Sequence, residues 1–283
     1  MSAVAVAIAA SAANAQYSPD TPPPGANDWS CKSSAAHPEP VVLVHGLGAN
    51  MQFNWYYLSP KLASAGYCVF ALTYGRNPDV PFPFDQFGGV VPMEESAAEL
   101  GAFVDEVLAA TGASQVDIVG HSEGSLMPNY YVKFLGGAPK VRRYVGLTPL
   151  WQGTNLAEAG TLSDLGEPSG NSERTRELVA ELGCGSCPEF IRGSEFLRRM
   201  NEGGAAVGGV TYTMIMTRND ELVVPYTSGI LDGATNIVIQ DQCALDPSEH
   251  ILVASDPIVA GNILNALDPD HAVPVSCTTA QQF

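Results

Sequence analysis

The 283-residue sequence predicts an α/β fold: a mostly parallel central sheet flanked by helices, with a cap or lid insertion. Three observations carry that prediction. Strand-like and helix-like stretches alternate from Val41 to Leu147, the rhythm of parallel strands joined by helical crossovers. Strand-like runs such as Val41-Val42-Leu43-Val44 are apolar throughout, as strands covered on both faces are. Finally, Val116 to Gly124 (VDIVGHSEG) joins a β-branched run to the pattern G-x-S-x-G. In that pattern a strand turns sharply into a helix and holds a serine hydroxyl above the sheet edge.

Taken in order, the chain opens on small and apolar residues ending in Ala13-Asn14-Ala15. This run reads as the h-region and A-x-A site of a secretory signal peptide spanning residues 1–15, cleaved after Ala15. It lacks a positive n-region, which suggests truncation, and it is too short to span a membrane. Residues 16–283 are then expected to form one secreted domain. Tyr17 to Pro40, rich in Pro, Ser and Asp, predicts an extended arm. Val41 to Val44 is the first strand and ends in the turn His45-Gly46-Leu47-Gly48. Asn54 to Ala65 has helical spacing and stops at Gly66. Tyr67 to Tyr74 is the next strand, followed by a loop rich in Pro, Phe and Gly.

Pro92 opens a helix with an apolar stripe at Ala97, Leu100, Val104, Val107 and Leu108, ended by Gly112. The strand before Ser122 leads into a helical stretch, Leu126 to Leu135, in which Met127-Pro128 predicts a kink. Arg143 to Leu147 is another strand. From Trp151 to Gly209 the rhythm stops. This stretch, at the carboxyl end of a strand, predicts the insertion, with short helices at Ser172–Leu182 and Pro188–Met200. Strands resume at Val210–Met216 and Asn236–Ile239, and Pro257–Leu267 forms the last helix.

A net charge of −17 argues against nucleic acid or an anionic membrane as partner. With 46% apolar and 15% charged residues the chain is globular, and a monomer is expected. Six cysteines suit an exported protein with three disulfides, and the preferred pairing is sequential: Cys31–Cys68, Cys184–Cys187 and Cys243–Cys277. Cys184-Gly185-Ser186-Cys187 is also a C-x-x-C. Zinc would need two further ligands that no second C-x-x-C or nearby His supplies, so a local disulfide is the better reading.

A serine nucleophile needs a base, and a histidine base needs a carboxylate to fix its tautomer. Of the five histidines, His37 lies in the arm, His45 and His121 in the two turns, and His271 in the tail. His250 remains, in a loop before the last helix. For the acid, Asp220 follows the strand Val210–Met216 and can reach the carboxyl edge. Glu221 is its main rival. Asp232, Asp241 and Asp246 sit in turn-like surroundings, and Asp117 precedes Ser122 on its own strand. The oxyanion hole takes the amide of Glu123 and one from the His45 turn, most plausibly that of Leu47. Such donors are worth about 3–4 kcal/mol each. The Glu123 carboxyl must then point away from the developing charge. No metal or organic cofactor is required by this chemistry.

Val41–Gly48 (VVLVHGLG), Asn54–Gly75, Val116–Gly137, Thr217–Tyr226 (TRNDELVVPY) and Cys243–Pro269 together resemble the secreted lipases and esterases of actinobacteria, within the α/β-hydrolase superfamily. The resemblance covers nearly the whole expected mature chain. It implies a serine carboxylic-ester hydrolase, commonly a triacylglycerol lipase acting on ester or lipid. It also implies a triad of Ser122, Asp220 and His250, an oxyanion pair of Leu47 and Glu123, and three disulfides. Glu123 stands where related lipases often carry Gln; because the backbone amide does the work there, altered pH behaviour is the most that is expected. A short-chain esterase, a polyester hydrolase and an acyltransferase share these residues, and a non-catalytic binding protein could share the fold.

Overall fold

The computed structural model describes residues 18–154 and 183–278. The leader expected at residues 1–15, the helix expected at Ser172–Leu182 and much of the expected insertion lie outside the described residues. A parallel sheet of six strands organises the rest, in the order β2-β1-β3-β4-β5-β6. The strands are β1 (Val41–Val44), β2 (Val69–Leu72), β3 (Val116–His121), β4 (Val141–Leu147), β5 (Thr211–Met216) and β6 (Thr235–Val238). The chain moves outward from β1 to β2, then returns to place β3 on the other side of β1. This reversal leaves a crevice between the carboxyl ends of β1 and β3, where open parallel sheets bind ligands.

Among the described residues, seven α-helical segments position the sheet and its loops. They include α1 (Met51–Trp55), α2 (Leu58–Ser64), α3 (Met93–Thr111), α4 (Met127–Phe134), α5 (Glu195–Asn201) and α6 (Pro257–Leu267), with one further turn at Ile239–Gln242. The β1 side chains alternate between two cores. Val42 and Val44 join Leu100, Val104, Met127 and Phe196 on one face, while Val41 and Leu43 join Trp55, Leu62 and Ile263 on the other. Helices therefore cover both faces, which is why β1 and β2 are apolar along their whole length.

Three local expectations change. The helix expected over Pro188–Met200 begins only at Glu195, where Ser194 caps it by accepting the Leu197 amide. The helix expected over Asn54–Ala65 is divided into α1 and α2, because Pro60 cannot sit inside one continuous helix. In α2 it falls in the first turn, where its missing N–H costs no hydrogen bond. Asn50 caps α1, its Oδ1 accepting the Phe53 amide at 2.8 Å. Pro128 likewise falls in the first turn of α4, because Ser122–Ser125 forms a separate 3₁₀ turn. The expected kink has no helix interior to act on.

The N-terminal arm closes one edge of the sheet. Asn27 donates its backbone amide to Val69 O and accepts the Ala71 amide on its side chain. Cys31–Cys68 ties the arm to that edge, and Cys243–Cys277 ties the tail to the body. Cys184–Cys187 closes the short loop expected from C-x-x-C. At the amino ends of β3 and β4, Asp117 is buried beside Arg143 and Glu39. Burial pushes its carboxyl up to about 7 against the pull of Arg143. This cluster lies at the opposite end of β3 from Ser122. Among the described residues no helix is long and apolar enough to cross a membrane.

Candidate active site

Ser122 follows the last residue of β3 directly and takes a left-handed backbone, φ +56°. The glycines two residues to either side allow it. A Cβ on Gly120 would lie 1.8 Å from Gly124 O, and one on Gly124 would lie 2.2 Å from His45 O. No side chain fits either gap, so this turn exists only with glycine at both positions. The result is a serine presented at the β1/β3 crevice.

His250 reaches Ser122 from a loop before α6, its Nε2 lying 2.8 Å from Ser122 Oγ. Its Nδ1 lies 2.9 and 3.1 Å from the two carboxylate oxygens of Asp220. A carboxylate only accepts, so Nδ1 carries the hydrogen and Nε2 is left with a lone pair aimed at the serine hydroxyl. Asp220 is itself fixed: Oδ1 accepts the amides of Leu222 at 3.0 Å and Val223 at 2.7 Å. The loops bearing acid and base are joined by Thr217 Oγ1 donating to Ser248 O and Asn219 Nδ2 donating to Asp246 O.

The rival carboxylates have other partners. Glu221 accepts the backbone amide of His250 at 3.3 Å and does not touch the ring. Asp241 pairs with Arg218, Asp246 accepts the Ser248 amide, and Asp232 is exposed. His37 stacks on Tyr67 and His271 pairs with Asp268 on the surface, both away from the serine.

The His45–Gly48 turn packs on the serine from the β1 side, where a Cβ on Gly46 would lie 3.1 Å from Ser122 Cβ. Leu47 and Glu123 both line the cavity with Ser122 and His250, and among the described residues neither of their amides meets a backbone acceptor. The cavity holds about 420 Å³ and is walled largely by apolar residues, among them Phe53, Leu150, Phe190 and Leu252. Phe53 and Leu252 are 72% and 52% exposed, so the mouth of the cavity is greasy as well as its walls. Three titratable groups around it are fully buried. Desolvation lowers His45 to about 4 and His121 to about 3, and raises Glu123 to about 8.

Several supporting residues carry no sequence signal. His121 Nε2 donates to the backbone carbonyl of His250 at 2.8 Å, while its Nδ1 lies 3.0 Å from Asn54 Oδ1. The same Asn54 oxygen accepts the Gly46 amide at 3.1 Å. One chain of contacts therefore links the oxyanion turn, the elbow and the base. Tyr74 and Ser186 enclose the Glu123 carboxyl, on the side of it away from the sequence motif. Only the spacing of C-x-x-C around Ser186 marked that loop at all.

A family model described as class 2 lipase matches residues 38–259, most of the chain. The chain belongs to the class 2 lipase family. This family member is 36% identical over 103 residues to a triacylglycerol lipase of Pseudarthrobacter phenanthrenivorans, an alignment covering 34% of the chain and 28% of that relative. Its fold is similar to Aspergillus fumigatus lipase B at TM-score 0.65 and 19% identity, covering 93% of this chain and 58% of that one. It is also similar to MGS-MChE2, an α/β hydrolase from a lagoon-sediment metagenome. There the TM-score is 0.54 and the identity 16%, covering 86% and 94% of the two chains. The chain thus has the α/β-hydrolase fold.

Proposed function

We propose that this protein is a secreted serine lipase that cleaves triacylglycerol esters through an acyl-enzyme. Ser122 Oγ attacks the ester carbonyl carbon as His250 Nε2 takes its hydrogen. Asp220 holds the Nδ1 hydrogen and stabilises the imidazolium that forms. The carbonyl oxygen, now negative, is received by the amides of Leu47 and Glu123. His250 then gives its proton to the departing alcohol oxygen, and the acyl group stays on Ser122. Water repeats the sequence in reverse and releases the acid.

The observation that carries this reading is the unbroken line from Ser122 Oγ through the His250 ring to Asp220, with bonds of 2.8 and 2.9 Å. The apolar cavity with Phe53 and Leu252 at its mouth favours a long acyl chain over a short polar ester. The residues from about 151 to 209 would form a cap over it. Three disulfides and the A-x-A pattern before Gln16 support export and cleavage after Ala15.

The test compares wild type with Ser122→Ala on p-nitrophenyl butyrate, p-nitrophenyl palmitate and emulsified triolein, with phosphonate labelling of Ser122 in parallel. The expected outcome is loss of about 10⁴-fold or more in kcat for the variant, with palmitate and triolein preferred by wild type. Equal rates for the two proteins would remove Ser122 from the mechanism.

A further inference from the structure

The Glu123 side chain lies in a closed chamber behind the oxyanion turn and is 1% exposed. Four close oxygen–oxygen contacts fill the chamber. Tyr74 Oη is 2.9 Å from His45 O and 3.1 Å from Glu123 Oε1. Ser186 Oγ is 2.6 Å from Gly89 O and 3.0 Å from Glu123 Oε2. Each hydroxyl owns one hydrogen, and each also faces a backbone carbonyl that can only accept. If Glu123 were a carboxylate, two hydrogens would serve four contacts, and two pairs of oxygens would meet with nothing between them. A proton on Glu123 supplies a third hydrogen, which Ser186 Oγ or Tyr74 Oη can accept while donating to its carbonyl.

Among the described residues no cation offsets the charge, and no ion pair involves Glu123. From the end of β1 comes His45, whose ring donates Nδ1–H to Gly46 O and is held neutral by burial. From the end of β2 comes Tyr74, pushed well above its ordinary range by burial first and Glu123 second. Glu99 of α3 acts on Tyr74 from further off. The elbow contributes His121, also neutral. The loop closed by Cys184–Cys187 contributes Ser186 and, beyond it, Glu189, raised to about 9 by burial. Every facing group is neutral or acidic.

We propose that Glu123 is a positioning residue that works as a neutral carboxylic acid, its own proton serving a third of the four oxygen contacts in the chamber that supports the oxyanion turn. The inference rests on the reading of Leu47 and Glu123 as oxyanion donors. Gly89 connects the two, since a Cβ there would lie 3.0 Å from Glu123 Oε1 and 3.2 Å from Leu47 Cα. Loss of the proton leaves a buried anion beside the place where the transition state develops its own negative charge, and the two repel. It also sets a second pair of oxygens against each other, at Ser186 or at Tyr74, loosening the wall behind Leu47.

The experiment is a kcat/KM profile of the full chain from pH 6 to 10 for wild type, Glu123→Gln and Glu189→Gln, each normalised to its own value at pH 7. Burial holds Glu123 near 8, so wild type is expected to fall about tenfold per pH unit above that point. Glu123→Gln, which cannot ionise, is expected to stay level, and Glu189→Gln to fall as wild type does. A wild type that stays level, a Glu123→Gln that falls in parallel, or a level Glu189→Gln overturns the proposal. Infrared difference spectra give a second readout: a protonated-carboxyl component at pH 7 that is present in wild type and Glu189→Gln, missing from Glu123→Gln, and lost in step with activity. Should Glu123→Gln not fold, the wild-type band and the Glu189→Gln profile decide. Phosphonate labelling at pH 7 separates the two readings. Labelled Ser122 with parallel profiles defeats only this inference, whereas unlabelled Ser122 defeats the mechanism beneath it.

Discussion

Asp220 and Glu123 are both buried carboxyl groups within reach of the same serine, yet their surroundings treat them in opposite ways. Asp220 meets only hydrogens: two backbone amides and the Nδ1–H of His250. Its negative charge is provided for before any substrate arrives. Glu123 meets two hydroxyls already drawn toward backbone carbonyls, with no cation beside it among the described residues. The contrast teaches that burial alone does not set a carboxyl's charge. The number of uncommitted donors does.

The sharpest way to break the comparison is Asp220→Asn. An amide can donate to His250 Nδ1, which moves the ring hydrogen to Nε2 and removes the lone pair facing Ser122. kcat is expected to fall about 10⁴-fold with little change in KM. The companion variant Glu221→Gln, which keeps an acceptor for the His250 amide, is expected to stay within about threefold of wild type. If the two losses are exchanged, Glu221 is the acid.

Smaller effects follow from position rather than charge. His121→Ala removes the donor that holds the His250 carbonyl and is expected to lower kcat about 10–100-fold while leaving phosphonate labelling of Ser122 detectable. Stability gives the smallest effect. Glu123 ordinarily titrates near 4.5 and is raised to about 8 in the fold. Between those values the folded chain holds a proton that the unfolded chain has released, so stability falls as pH rises through that window. Asp117, raised to about 7, contributes with the same sign. Tm is therefore expected to drop from pH 5 to 8 in wild type and to drop less in Glu123→Gln. The gap should be on the order of 2–4 °C for each kcal/mol carried by that proton. Identical slopes would mean the acid is not neutral in the fold.

Much of the frame was legible because it rests on local rules. Uninterrupted apolar runs signal strands covered on both faces, and the motif around Ser122 needs glycines for reasons that any sequence displays. Pro257–Leu267 is predicted and observed with the same bounds, since Asp256 caps it and proline opens it. Proline was misjudged where its position within a turn decides its effect. Pro60 and Pro128 both sit where no hydrogen bond is lost, and spacing alone does not tell a first turn from an interior one. The Glu123 chamber was illegible for a different reason. Its walls come from Tyr74, Gly89 and Ser186, distant in the chain and brought together only by the way three loops leave the sheet. A carboxyl next to a candidate nucleophile can be seen in sequence; which hydrogens are free to reach it cannot.

The stem around Thr154 has a consequence for how the rim of the cavity is held. Thr154 pairs with Ile191, donates its hydroxyl to Leu222 O and accepts the Val224 amide. Thirty-odd residues later the chain returns at the Cys184–Cys187 loop, where Gly185 donates to Val90 O. Both described ends are thus socketed into loops that leave the sheet, at Leu222–Val224 and at Val90. Where the chain departs and where it re-enters are set by the same loops that frame the crevice, so the rim of the cavity is fixed along with the reacting atoms.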